Sequence, residues 1–209
     1  MRIAIIGAGN VGKTLATGFA GAGHTVTISA GNPGHAREAA EATGARAAAS
    51  NADAVRDSDL VVLAVPFAAA PGIVDQLGDA LRGKVVVDAT NQFAPDRSGL
   101  DRYDLSVAER VQQASEAPVV KAFNTAFAAN MSSGTVDGVQ LDGYFAGDDA
   151  AAKARVAELV GQLGFRPIDV GDLTKARVLE GMAFLNIALN AGNGWPWRSG
   201  FKLVGPTGA

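Results

Sequence analysis

The residues best suited to chemistry stand near the start of the chain. Gly7-Ala8-Gly9-Asn10-Val11-Gly12 spells G-x-G-x-x-G. In that spacing the first glycine turns the chain tightly, the second lets backbone approach a pyrophosphate, and the third admits a close-packed helix. Gly7, Gly9, Asn10, Val11 and Gly12 therefore read as a dinucleotide-phosphate cradle, completed by the N–H groups and positive dipole end of the following helix. About 20 residues on, where an acid usually accepts hydrogen bonds from an adenosine ribose, the chain has Ser29-Ala30-Gly31-Asn32 and no carboxylate. Without that charge a 2'-phosphate is not repelled, and Ser29, Asn32, His35 and Arg37 are available to bind one. NADP is the expected nucleotide, with NAD left open, and His35 and Arg37 serve equally well as the solvated start of a helix.

Further polar groups fall at the ends of apolar runs. Leu63-Ala64-Val65-Pro66-Phe67 and Asp88-Ala89-Thr90-Asn91 end two strand-like segments, and ligands of an open parallel sheet collect at such carboxyl ends. Val65, Pro66 and Asn91 are accordingly expected along the nucleotide trough, the first two through backbone; a strand-terminating turn is the plain alternative. Lys121, within Val119 to Phe123 and just before Asn124 and Thr125, is either a polar group near the site or a lysine that snorkels to the sheet margin. The stretch from Asn190 to Leu203 mixes glycines with Trp195, Trp197, Phe201, Arg198 and Lys202. It suits a flat anionic second ligand, by stacking and charge, or a partner subunit.

Other chemistries lack residues. The chain has no cysteine, no His-x-x-x-His and no Gly-x-Ser-x-Gly, and its histidines, His24 and His35, both fall in the nucleotide-binding part. Thiolate, metallohydrolase and serine-esterase chemistry have nothing to stand on, and no metal is expected. Hydride exchange between two redox cofactors asks mainly for positioning and exclusion of water. A module that senses NADP redox state without turnover is the non-catalytic reading, since a fold and a site do not establish catalysis.

These groups need a scaffold, and the hydrophobic pattern supplies one. Strand-like runs at Arg2 to Ile6, Thr25 to Ser29, Leu60 to Val65, Lys84 to Asp88 and Val119 to Phe123 alternate with helical segments at Asn10 to Ala22, His35 to Ala42 and Ala52 to Asp57. The segment from Gln92 to Arg102 reads as a loop leading to a helix over Val107 to Ala114. Alternation of this kind implies an α/β, Rossmann-type, doubly wound and mainly parallel sheet. A strand at Gly143 to Gly147, a helix from Asp149 to Leu163 and a strand at Arg166 to Val170 suggest an added βαβ layer. A last helix, Leu173 to Leu189, carries Val178, Met182, Leu185 and Leu189 as a stripe that must meet the core or another subunit. The expected division is a dinucleotide-binding domain over 1–128 and a small C-terminal α/β region with its tail over 129–209.

At 209 residues with a net charge of -3, the chain offers no basic footprint for nucleic acid. Its apolar start, Ile3 to Ile6, is far shorter than a signal-peptide core or a membrane span. A cytoplasmic protein without nucleic-acid or membrane partners is expected.

Gly7 to Gly12, Val87-Asp88-Ala89-Thr90-Asn91, Val119-Val120-Lys121-Ala122-Phe123-Asn124-Thr125, Val170-Gly171-Asp172-Leu173 and Ala176-Arg177-Val178-Leu179-Glu180 together resemble the NADP oxidoreductases that use the deazaflavin coenzyme F420. The likeness spans nearly the whole chain. It implies a homodimeric enzyme that moves a hydride between C4 of NADPH and C5 of the deazaflavin, with the rings stacked at the carboxyl edge of the sheet. It further implies that Asn124 and Thr125 position those rings and that the C-terminal helix and tail complete the second pocket. The chain departs from the family in having Ala30 and Gly31 where a Ser-Arg pair usually holds the 2'-phosphate, and Trp195-Pro196-Trp197 in place of a glycine-rich ending. An NAD(P)H-dependent reductase of a flavin, quinone or small organic substrate is the alternative enzyme.

Overall fold

Runs of Val, Ile and Leu without polar alternation require burial on both faces. In the computed structural model, which describes residues 1–94, 96, 98–101 and 104–205, they form the middle of one sheet. Its strands are β1 (Arg2–Ile6), β2 (Thr25–Ser29), β3 (Arg46–Ala47), β4 (Leu60–Leu63), β5 (Val85–Asp88), β6 (Val119–Ala122), β9 (Asp142–Gly147) and β10 (Arg166–Asp169), in the order β10-β9-β6-β5-β4-β1-β2-β3. A small separate hairpin pairs β7 (Thr135–Val136) with β8 (Val139–Gln140). Neighbours in the sheet are parallel except β9, which runs against β6. From β1 the chain builds outward through β2 and β3, then returns to the other side with β4, β5 and β6. That reversal opens a crevice at the carboxyl ends of β1 and β4, where a Rossmann sheet takes its ligand.

Helices cover both faces. Leu15 and Phe19 of α1 (Asn10–Gly21), Ala39 of α2 (Pro33–Thr43) and Val156 and Leu159 of α6 (Ala150–Gln162) pack on one side. Val55 of α3 (Asn51–Arg56), Val74 of α4 (Ala70–Leu77), Val111 of α5 (Val107–Ser115) and Ala176, which opens α7 (Ala176–Asn193), pack on the other. Local chemistry sets the ends of these helices. Ser106 and Glu109 form a capping box on α5, and the Asp149 carboxylate accepts from the Ala152 N–H at 2.7 Å to start α6.

The longer strands and most helices fall where periodicity places them. The two-residue strands β3, β7 and β8 and the helix α4 are not among the expected elements; α4 carries a proline in its first turn, where proline is well tolerated. The expected βαβ unit β9-α6-β10 forms, yet it is not a layer of its own: β9 hydrogen-bonds to β6 and extends the main sheet. In the expected loop from Gln92 to Arg102, Phe93 bridges to Leu100 and the Ala94 N–H donates to the Gly99 carbonyl at 2.9 Å. Positions 95, 97 and 102 of that loop lie outside the described residues, as do 206–209.

The last helix begins after a single 3-10 turn at Leu173–Lys175. Its inner face is Leu179, Glu180, Ala183, Asn186 and Asn190. Of the stripe expected to meet the core or another subunit, Met182 packs partly against the core, while Val178, Leu185 and Leu189 turn outward, 60%, 51% and 39% exposed. Small and hydrogen-bonded side chains let α7 lie close to the sheet, which leaves the larger apolar ones on its far side.

Candidate functional site

Three glycines shape the first loop differently. Gly7 has φ of +118° and donates its N–H to the Ser29 carbonyl at 2.9 Å, and a Cβ there would collide with the Ala64 carbonyl. A Cβ on Gly12 would strike the Gly7 carbonyl, so close packing of α1 on the turn demands glycine. Around Gly9 there is nothing within 4 Å of where a Cβ would sit. That space adjoins the start of α1, where Gly9 is the cap residue and provides no side-chain bond, and where the first turn carries no acid. Orphan N–H groups, a positive helix end and open space at backbone level fit a pyrophosphate. Val65 and Pro66 follow β4 beside this turn; Val65 is half-buried and Pro66 exposed.

At the carboxyl end of β2 the candidate ribose and phosphate ligands are partly committed. Ser29 is buried, and its hydroxyl donates to Asn51 Oδ1 at 2.8 Å. Asn32 Oδ1 accepts from the Gly34 N–H at 2.8 Å and caps α2. His35 and Arg37 stand exposed on α2, whose first turn holds no acid. Asn51 escaped notice in the sequence; its signal is Ser50 as a cap residue followed by a short apolar helix.

At the ends of β5 and β6, of the two readings of Lys121, that of a lysine snorkelling to the sheet margin is overturned. Its side chain is fully buried and does not reach the sheet margin. Lys121 Nζ donates to Asp88 Oδ2 at 2.9 Å, to the Thr90 carbonyl at 2.5 Å and to Glu180 Oε1 at 3.1 Å. Arg177 Nη1 meets Glu180 Oε2 at 3.1 Å and Nη2 donates to the Asp101 carbonyl at 2.5 Å. A buried ammonium persists only when paired and hydrogen-bonded, and β5 with the turn that follows it and helix α7 supply the partners for this lysine of β6. Burial pushes the Glu180 carboxyl above the usual range, against the opposing pull of Lys121. Residue order alone does not pair Lys121 with Glu180 and Asp88; the signal it does carry is a lone lysine in an apolar strand and a lone acid on an apolar helix.

Just above this network, Asn91 and Asn124 join the two strand ends. Asn91 Nδ2 donates to the Asn124 carbonyl at 3.0 Å, and Asn124 Nδ2 donates to Asn91 Oδ1 at 2.9 Å. Thr125 is buried beside them. Thr90 Oγ1 and Asn124 Oδ1 are buried with no protein partner. The structure thus brings Gly7 to Gly12, Val65, Pro66, Asn91, Asn124 and Thr125 to one edge, with Ser29 ending β2, Asn32 capping α2 and Arg37 on α2.

Residues 2–92 match the family model of the coenzyme F420-dependent NADP oxidoreductases. The F420-dependent NADP reductase of Methanothermobacter marburgensis is 32% identical over 92% of this chain and 94% of its own length. The chain belongs to this family. A protein from Arthrobacter sp. FB24, whose crystal structure carries the provisional description F420-dependent NADP reductase, superposes with a TM-score of 0.88 at 32% identity, covering 98% of this chain and all of that one. Metalloreductase STEAP3 of Rattus norvegicus is 31% identical over 86% of this chain, but the match spans only 36% of that longer protein.

In this family member the C-terminal strap is pinned to the same edge by two buried polar clusters. Asp142 binds Arg166 Nε at 2.7 Å, accepts from the Leu203 N–H at 2.6 Å and lies 3.4 Å from Lys202 Nζ. Burial alone would raise the Asp142 carboxyl, but Arg166, the Leu203 N–H and Tyr144 outweigh it and hold it below the usual range. Tyr144 is in turn pushed up to about 12 by burial and by Asp142. Nearby, Asn190 Oδ1 accepts from the Trp197 N–H at 3.1 Å, and Asn190 Nδ2 donates to Ser199 Oγ at 2.5 Å. Trp197 sits at φ of +56°, rare for a bulky residue, with its ring edge-on to Phe127 at 5.6 Å. Among the described residues no group of acids and histidines could hold a metal, and no helix is long and apolar enough to cross a membrane.

Proposed function

We propose that this protein is an oxidoreductase that transfers a hydride between NADP(H) and coenzyme F420. The carrying observation is the juxtaposition of the uncapped α1 terminus at Gly9 with the edge built by Asn91, Asn124 and Thr125, in a chain aligned almost end to end with an F420-dependent NADP reductase. NADPH supplies the hydride from C4 of its nicotinamide, and C5 of the deazaflavin receives it. The backbone of Gly7 to Gly12 binds the pyrophosphate, Val65 and Pro66 flank the nucleotide, and Asn91, Asn124 and Thr125 orient the nicotinamide. Ser29, Asn32 and Arg37 surround the ribose and its 2'-phosphate, with Arg37 as the cation free to pivot toward it. Residues 1–128 form the nucleotide region, and 129–209 provide the acceptor wall and dimer contact.

The outward apolar stripe of α7 supports a homodimer, because Val178, Leu185 and Leu189 are too exposed for a stable surface in water. A cytoplasmic location is part of this proposal. A second reading, reduction of a flavin, quinone or small organic acceptor, takes its support from the similarity over most of the chain to a reductase that is named for an acceptor other than F420. The test is to supply NADPH, and separately NADH, with oxidised F420, FMN or FAD and follow the visible absorbance of each acceptor. Bleaching of F420 alone with NADPH is expected. Bleaching of a flavin alone selects the second reading, and nucleotide binding without any turnover leaves a redox sensor.

A further inference from the structure

Hydride transfer as proposed uses no buried charge, yet the protein buries three charged side chains directly beneath its site. We infer that Lys121 and Glu180 are positioning residues: together they set the separation between the Asn91 and Asn124 edge, which holds the nicotinamide, and α7, which backs the acceptor. The inference rests on the hydride-transfer reading above.

Lys121 touches both walls. On one side its ammonium holds the carbonyl of Thr90, while Asp88 holds the Thr90 N–H through Oδ1 at 2.9 Å, so the peptide groups on both sides of this residue are fixed. Asn91 is the next residue, and its side chain is bonded both ways to Asn124. On the other side the same ammonium grips Glu180, one turn into α7. Arg177 extends the chain of charges from Glu180 to the carbonyl of Asp101, anchoring the loop that enters α5. Apolar packing could hold α7 against the sheet but would tolerate sliding, because it has no direction. Three directed bonds from one buried atom do not. Near-attack geometry is sensitive to shifts of about 1 Å, and this network is the rigid link between the two surfaces that must approach.

The informative variant is Glu180→Gln. It keeps size and shape, leaves Lys121 and Asp88 as a balanced pair, and places the surplus charge on Arg177, whose side chain is 24% exposed. The variant therefore folds, whereas removing Lys121 leaves two buried carboxylates together. With NADPH and F420, Glu180→Gln is expected to lower kcat about tenfold, the rate cost of a small misplacement. KM for NADPH should stay within about twofold, because the Gly9 cradle is untouched. The deuterium isotope effect on kcat with C4-deuterated NADPH should rise as the hydride step becomes limiting. An unchanged kcat and isotope effect in a folded variant overturns the inference, as does a loss that only follows the folded fraction. Should the wild-type protein reduce no acceptor, the functional reading falls and the inference is judged by amide exchange in the NADP+ complex. Exchange at 88–92 that is at least tenfold faster in Glu180→Gln, with α1 unaltered, supports it; equal exchange overturns it.

Discussion

The two ends of the site are built by different physics. At the β1 and α1 end, the proposed site is made of backbone: glycines remove side chains and leave peptide groups open to a phosphate, and the surrounding core is plain apolar packing. At the β6, β9 and α7 end, it is made of side chains that are polar, buried and hydrogen-bonded to one another: the charges around Lys121, the clamp around Asp142 and the amides of Asn186 and Asn190. At the first end Gly7 and Gly12 have no room for an added atom, and the second end tolerates almost no removed partner. A universal ligand part, the pyrophosphate, is met by a shape any Rossmann protein can adopt, whereas a particular acceptor calls for a wall set by specific bonds.

The largest break in this contrast should come from Lys121→Met. It strands Asp88 without a counter-charge and leaves Glu180 only Arg177, and the expected loss of stability is about 3–5 kcal/mol, measured by urea unfolding. A loss below about 1 kcal/mol would mean that water reaches the network. At the other end, Gly12→Ala forces a methyl onto the Gly7 carbonyl. Here stability should drop by about 1–3 kcal/mol, and NADP+ affinity by at least about tenfold, since the turn and helix start shift together. Calorimetric titration reads the affinity, and retention of tight binding would show that the turn can relax.

The Asp142 clamp tests whether the second end can be loosened without harming the first. Asp142→Asn should lower Tm by about 3–6 °C and raise KM for the acceptor while leaving NADP+ affinity within about twofold. The pH dependence has a definite sign. Because the folded carboxyl lies below its usual value of 3.8, its stabilisation is complete above that value and is lost as pH falls through the lower folded value. Tryptophan emission from Trp195 and Trp197 should therefore report release of the strap in acid, and the wild type should converge on Asp142→Asn there. The smallest effect is expected for Arg37→Ala on exposed α2: kcat/KM for NADPH falls about threefold against an unchanged value for NADH, as befits a solvent-screened contact. Equal losses for both nucleotides would place Arg37 outside the phosphate site.

Much of the first end could be read directly from residue order. A strand, three spaced glycines and an amphipathic helix depend on local φ/ψ freedom and periodicity, and the boundaries of β1 and β2 agree with the pattern to the residue. The second end was legible only in outline. Sequence alone leaves Lys121 as either a polar group near the site or a marginal lysine, because nothing local marks a strand residue as facing a helix 59 positions away. Likewise the stripe of Val178, Leu185 and Leu189 has the spacing of a core face, yet it is the less apolar face, with Glu180, Asn186 and Asn190, that turns inward.

By itself, the sequence determined what near neighbours along the chain decide: the alternation of strands and helices, the phosphate-binding turn and the absence of a carboxylate after β2. Tertiary structure alone decided which charges meet, which face of α7 is hidden, and how the strap returns to β9. Helix and strand periods are written in steps of two to four residues, so a short segment carries them. Pairing of buried polar groups is set by which distant partner can satisfy each desolvated atom, and that becomes defined only when the sheet has brought β5, β6 and α7 together.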